Sequence, residues 1–211
     1  MELITHLKIG RIDNLSDARY GAGVGASYAG FCFELNHPQY LTPEKATAIM
    51  AWLEGPKMVG EFDIQDAEEI NTLSNLLELD MVQLKDPRPV QMLQKVEKPL
   101  IQNLWLDRMS TQEVKDFIEA SQDAVEMYLL SFSGSFEQQN KWLEIPANQK
   151  LLTELTEDYM ILLGFSFNTE NLLPILERYT PHGINLQGEP ESKPGYKDFE
   201  DLIDLVELLE K

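Results

Sequence analysis

Short runs of apolar, β-branched and aromatic residues alternate with longer amphipathic stretches from one end of the chain to the other. The short runs predict strands over residues 3–9, 29–33, 57–62, 81–84, 99–105, 124–131, 160–163 and 183–186. Eight helical patterns lie between and after them. Several announce their own starts: Thr42 precedes Pro43, a cap before a proline at the first helical position, and Ser110 with Glu113 makes a capping box, with Asp66 and Glu69 a looser version. The last pattern, over 198–210, gathers Phe199, Leu202, Ile203, Leu205, Val206 and Leu209 on one stripe, as a helix packed on a sheet needs. No linker, repeat or low-complexity segment interrupts the alternation, which predicts one α/β domain over residues 1–211. Strict alternation leaves two architectures, a closed barrel or an open doubly wound sheet. No Gly-x-Gly-x-x-Gly follows the first strand, because Gly21, Gly23 and Gly25 fall late in the first helical segment, so a dinucleotide site is not supported and no cofactor is implied.

Composition narrows the chemistry. With 211 residues, 43% of them hydrophobic, the chain can bury a large core without a staple. The single cysteine, Cys32, rules out an internal disulfide framework and a cysteine-based zinc cluster, and its aromatic neighbours predict a buried, inert thiol suited to a reducing cytoplasm. The N-terminus has no basic region followed by an apolar stretch, and no run approaches the length of a membrane span, so the expectation is a cytoplasmic protein without a membrane partner. A net charge of -19 repels nucleic acid and anionic lipid. It also works against a small anionic ligand unless a few cations gather locally, which makes the positions of Arg11 and Lys85 matter.

Several stretches, in order along nearly the whole chain, share one further property. They are Leu7-Lys8-Ile9 with Ile12 and Asp17-Ala18; Tyr28 to Phe33; Pro38-Gln39-Tyr40-Leu41-Thr42-Pro43-Glu44; Val59-Gly60-Glu61-Phe62; Asp80 to Leu84; and Lys193-Pro194-Gly195-Tyr196-Lys197-Asp198. Together they resemble the phosphoribosylanthranilate isomerase family. The resemblance implies a (β/α)8 TIM barrel with its mouth at the C-terminal strand ends, and an Amadori rearrangement of a phosphoribosylated anthranilate in tryptophan biosynthesis. That reaction uses an acid to open the sugar ring and a base to take the C2 proton.

Carried over by position, the family's base at the end of the first strand is Gly10 here, and its acid at the end of the sixth is Ser131. Neither residue can replace the group it stands for. The arginine after Ser-Pro reads Gln39, the glycine after the base reads Arg11, and the histidine after Val-Gln-Leu reads Lys85. The two phosphate-cradling loops read Gly164-Phe165-Ser166 and Asn185-Leu186-Gln187-Gly188, one glycine surviving in each. The candidate ligand-binding set is therefore Arg11, Gln39, Lys85, Gly164, Ser166, Asn185 and Gly188, with no metal.

Each has a plainer reading beside it. Arg11 and Lys85 are expected either to bind an anion or to pair with neighbouring Asp13 and Asp86. Glu34, Glu61, Asp63 and Asp107 are expected to form a solvated rim. His6 is expected to point into the barrel in a layer with Lys8, His182 to lie on the side away from the mouth, and His37 alone of the histidines to reach a ligand. The main functional expectation is a divergent barrel of this family that lacks the acid/base pair and binds a small anionic or sugar-phosphate-like molecule or serves another purpose. The alternative is an active isomerase with relocated groups. A third is another sugar-phosphate reaction on the same scaffold. Oligomeric state is not readable.

Overall fold

The computed structural model describes residues 2–187 and 200–211. Eight strands, β1 (His6–Ile12), β2 (Tyr28–Cys32), β3 (Lys57–Phe62), β4 (Met81–Leu84), β5 (Leu100–Trp105), β6 (Met127–Ser131), β7 (Ile161–Gly164) and β8 (Gly183–Gln187), are joined by helices. These are α1 (Leu15–Gly23), α2 (Pro43–Met50), α3 (Ala67–Leu76), α4 (Val90–Leu93), α5 (Thr111–Ser121), α6 (Phe136–Leu143), α7 (Pro146–Asp158), α8 (Leu172–Tyr179) and α9 (Glu200–Glu207). All strand pairs are parallel, and β1 closes on β8 from His6 opposite Gly183 to Gly10 opposite Gln187. The sheet is a closed (β/α)8 barrel, not an open doubly wound sheet. Among the described residues no helix is long and apolar enough to cross a membrane.

Two apolar layers hold it. Tyr28, Val59, Met81, Ile101, Met127, Leu129 and Leu162 form a cluster of their own, and by the two-residue strand period they line the barrel interior. A larger cluster, including Leu7, Ile9, Phe31, Leu84, Leu104 and Leu130 from strands with Ile49, Ile70, Ile118, Leu151 and Leu176 from helices, fills the space between sheet and helices. The caps read from the sequence are present: Thr42 accepts from the Lys45 amide, and Asp66–Glu69 and Ser110–Glu113 are full capping boxes.

Two features differ from the sequence reading, and one lies beyond comparison. β1 begins three residues later than expected and runs on through Gly10 and Arg11, because the tail before it makes only an isolated bridge between Leu3 and Glu210. Two helices, not one, join β6 to β7: Pro146 cannot donate a backbone hydrogen bond, so it ends the first and opens the second. The last helix is described from Glu200; Gly188 and the Lys193–Asp198 motif lie outside the described residues.

At the N-terminal end of the barrel, His6 is exposed and stacks on His182 with centroids 4.4 Å apart, instead of packing inward with Lys8. His6 Nδ1 lies 2.8 Å from Ser27 Oγ, and the Tyr28 hydroxyl lies 3.3 Å from His182 Nε2. This is the side away from the mouth, as expected of His182.

Two outcomes follow. A Cβ at Gly183 would overlap the His6 carbonyl oxygen and stand 2.9 Å from His6 Cβ, where β1 meets β8. Gly183→Ala is therefore expected to cost about 2–3 kcal/mol in urea unfolding, and a loss below about 0.5 kcal/mol would show that closure tolerates a methyl group there. Burial, and then His6, hold the His182 imidazole below its ordinary value of 6.5. The unfolded chain takes up that proton first, so the contribution is full above 6.5 and declines as pH falls through it. His182→Gln is expected to flatten the fall in unfolding midpoint between about pH 7 and 5, leaving the carboxylate-driven loss below that.

Candidate functional site

The mouth is built on a β-bulge. β1 pairs with β2 at Lys8–Tyr28 and Ile9–Ala29, then at Ile12–Phe31, so three steps on one strand face two on the other. The extra residue leaves Arg11 at φ 55°, a left-handed conformation that costs a side-chain-bearing residue roughly 1–2 kcal/mol. Gln39, 7% exposed, holds the bulge by donating from Nε2 to the Arg11 carbonyl at 3.2 Å.

Beneath the bulge lies a buried charge pair. Lys8 is fully buried, and its ammonium donates to Glu61 on β3 and, at 3.0 Å, to Asn185 Oδ1 on β8. Glu61 is 2% exposed, so it is part of the barrel interior and not of a solvated rim. The pair explains two glycines. A Cβ at Gly10 would stand 3.0 Å from Glu61 Oε1, 3.2 Å from Lys8 Nζ and 3.3 Å from Asn185 Oδ1, and one at Gly30 would overlap the Glu61 carboxylate. The space beside position 10 is thus occupied by side chains of Lys8 from the same strand, Glu61 from β3 and Asn185 from β8.

Glu34, expected on the rim, is also buried, at 3% exposure, and organises the mouth cations. It accepts from Lys85 at 2.5 Å, and its other oxygen lies 3.7 Å from Arg11 Nη2. Neither cation takes Asp13 or Asp86 as its ion-pair partner: Asp13 accepts from Asn14 and Gln39, and Asp86 from the Trp105 indole. The carboxylate that matters is 23 and 51 residues away along the chain, too far for a local reading. Arg11 and Lys85 keep 23% and 33% of their side chains exposed around one carboxylate. His37 adds no positive charge near neutral pH: burial, then Arg11, lower its imidazole, and its Nδ1 accepts from the Gln39 amide.

The other side of the mouth is polar but weakly acidic. Ser131 ends β6 at 7% exposure, and Gly164 leaves it room, since a Cβ there would come within 2.8 Å of Ser131 Oγ. Burial raises the carboxyl of Asp107, but hydrogen bonds from the Ser133 hydroxyl and amide outweigh it and hold the group below the usual range. It is therefore a poor proton donor. The Ser166 amide, expected in an anion cradle, donates instead to Gln139 Oε1 at 2.7 Å, while Phe165 is buried between Phe132 and Phe167. That loop is closed by Gln139 of α6, by Phe132 after β6 and by its own Phe167. Cys32 is buried, and burial followed by Glu61 pushes its thiol up to about 12, which makes it unreactive.

Residues 7–208 match the family model of N-(5'-phosphoribosyl)anthranilate (PRA) isomerase. Relatives named N-(5'-phosphoribosyl)anthranilate isomerase from Syntrophus aciditrophicus and Geobacter sulfurreducens are each 26% identical, covering 92% of this chain and 83% and 93% of their own. The crystal structure of phosphoribosyl anthranilate isomerase from Thermus thermophilus superposes with a TM-score of 0.76 at 26% identity, over 96% of this chain and 97% of its own. A phosphoribosyl anthranilate isomerase solved in complex with reduced 1-(o-carboxyphenylamino)-1-deoxyribulose 5-phosphate shares the fold with a TM-score of 0.75 at 20% identity, over 97% of both chains.

The Lys8–Glu61 pair gives a stability test. Glu61→Leu leaves a buried ammonium with only an amide partner and is expected to cost about 3–5 kcal/mol, whereas Lys8→Met with Glu61→Leu should recover most of it. Chemical denaturation measures both, and equal losses in single and double variants would refute the pairing.

Proposed function

This chain belongs to the phosphoribosylanthranilate isomerase family, and from that premise we propose that its mouth takes the family's class of ligand, a sugar phosphate bearing a carboxyphenylamino group, and isomerises it with relocated groups. The observation that carries the reading is the position of Glu61. Its Oε1 lies 3.0 Å from where a Cβ at residue 10 would stand, the position to which the resemblance assigns the base. A carboxylate from β3 thus fills the place of a side chain from β1. Gly10, by having no side chain, leaves room for that carboxylate. Glu61 takes the C2 proton and becomes neutral, and the Lys8 ammonium, hydrogen-bonded to it, offsets its charge up to that transfer. Arg11 and Lys85 attract the ligand's anionic ends. Residues 1–211 act as one barrel domain, in the cytoplasm.

The ring-opening acid has no such substitute. The Ser131 hydroxyl can hydrogen-bond the ring oxygen but is too weak an acid to protonate it near neutral pH, and Asp107 is held ionised. General acid assistance contributes typically ~10²–10⁴-fold, so turnover is expected below that of an isomerase with both groups by about that factor.

A second reading is favoured by the closed loop at Phe165 and Ser166 together with Gly10 and Ser131: the barrel binds the ligand without turning it over. One experiment separates them. Purified protein is given phosphoribosylanthranilate made in situ, and loss of substrate fluorescence is followed alongside rescue of a tryptophan auxotroph lacking the isomerase. Slow turnover that disappears in Glu61→Gln, with the thermal midpoint checked in parallel, is the expected result. Binding without turnover in the wild type supports the second reading, and turnover unaffected by Glu61→Gln refutes the role given to that residue.

A further inference from the structure

We infer that Gln83 on β4 and Asn103 on β5 form a hydroxyl-reading pair in the barrel interior beneath the mouth, two amide side chains that hydrogen-bond the sugar hydroxyls of a ligand seated there, Asn103 through its oxygen. The inference rests on the reading of the mouth as a sugar-phosphate site and names what recognises the sugar. Gln83 follows Met81 by two residues and Asn103 follows Ile101 by two, so both share the face of side chains that line the barrel interior. They are 8% and 3% exposed. Among the described residues, Gln83 Oε1 and Asn103 Oδ1 accept no hydrogen bond. A buried amide oxygen left unpaired destabilises a fold, and almost all such groups find a partner.

Asn103 is oriented so that this is not a matter of amide assignment. Its Nδ2 donates to the Lys85 carbonyl at 2.9 Å, which directs Oδ1 away from that strand. The same carbonyl also accepts from Trp105 Nε1 at 3.1 Å, so Asn103 is not needed to satisfy it. A side chain whose donor is redundant and whose acceptor is unpaired serves the fold poorly. Gln102 and Ser74 also carry unpaired oxygens, but Gln102 points outward from β5 and Ser74 lies on α3, so no ligand in the mouth reaches them. Interior placement is what distinguishes the pair. Because the free atom of Asn103 is an acceptor, the ligand group that meets it is a donor. Lys85, whose backbone Asn103 touches, brings the ammonium that would hold the anionic end of the same molecule.

The test measures binding of ribulose 5-phosphate and of inorganic phosphate to the wild type and to Asn103→Leu, Asn103→Ala and Gln83→Leu by calorimetry, with thermal midpoints of the free proteins. The wild type is expected to prefer the sugar phosphate. Each variant should lose about five- to tenfold of that preference, the effect of one hydrogen bond, while its affinity for inorganic phosphate stays unchanged. Asn103→Leu should also melt no lower than the wild type, since it removes an unpaired oxygen from the interior. The inference is overturned if the preference survives in all three variants, if both ligands weaken equally, or if Asn103→Leu and Asn103→Ala both melt several degrees lower, which would show the oxygens to be partnered by structural water. A wild type that binds inorganic phosphate with no preference for the sugar overturns this inference alone. A wild type that binds neither probe overturns the sugar-phosphate reading of the mouth, and this inference with it.

Discussion

A fully buried ammonium sets the terms for the upper half of this barrel. Taking Lys8 out of water costs several kcal/mol even after relaxation, and only a partner inside the same low-dielectric space can offset it. Glu61 supplies the charge and Asn185 a second acceptor, so three strands, β1, β3 and β8, are tied across the seam where the sheet closes. That requirement then dictates its neighbours. Position 30 must lack a side chain because one would overlap the carboxylate, and position 10 has little room for the same reason. The glycine at position 10, to which the resemblance assigns the base, is thus a packing consequence of the pair.

The same logic governs charge at the mouth. The chain as a whole is strongly acidic, so its long-range field opposes anionic ligands. At short range Glu34 gathers two cations, Arg11 and Lys85, at one point of the mouth. With a Debye length of about 8 Å at physiological ionic strength, distant surface carboxylates are screened while groups within the mouth are not. Local order, not net charge, therefore decides what the mouth can hold.

Much of the fold was legible because the two hydrophobic periods survive in nearly every element: all eight strands and the three named helix starts lie where the pattern put them, within a few residues. The misses have identifiable causes. β1 runs through Gly10 and Arg11 because a bulge, which leaves no periodic mark, absorbs the extra residue. Pro146 divided a helical stretch that apolar spacing alone read as continuous. The site was less legible. Glu34 and Glu61 were placed on a solvated rim because a carboxylate at a strand end usually is solvated, and their partners are set by closure of the barrel. One signal was available: Leu7-Lys8-Ile9 and Val59-Gly60-Glu61-Phe62 each set a single charge of opposite sign inside an apolar strand, and two such charges in one core must meet or be expelled. Gln83 and Asn103 carry the weaker, neutral form of that signal.

The two ends of the barrel treat polar groups differently, and the difference bears on function. At the N-terminal end, His6 has Ser27 within hydrogen-bond distance and His182 has Tyr28, so the ring groups there are partnered within the fold. At the C-terminal end the chain keeps a left-handed arginine, two interior amide oxygens without protein partners and a pair of cations sharing one carboxylate. The left-handed arginine and the unpaired oxygens lower stability, and a fold free to optimise itself would have replaced Asn103 with an apolar residue and Arg11 with glycine. Strain and unpaired polarity retained together at one end of a barrel, and at the end where barrels of this architecture bind and react, are what a working mouth leaves behind. Gly10 and Ser131 at the positions to which the resemblance assigns base and acid bear on which groups of that mouth act. They do not remove the cost of keeping the mouth, and that continuing cost argues for a ligand.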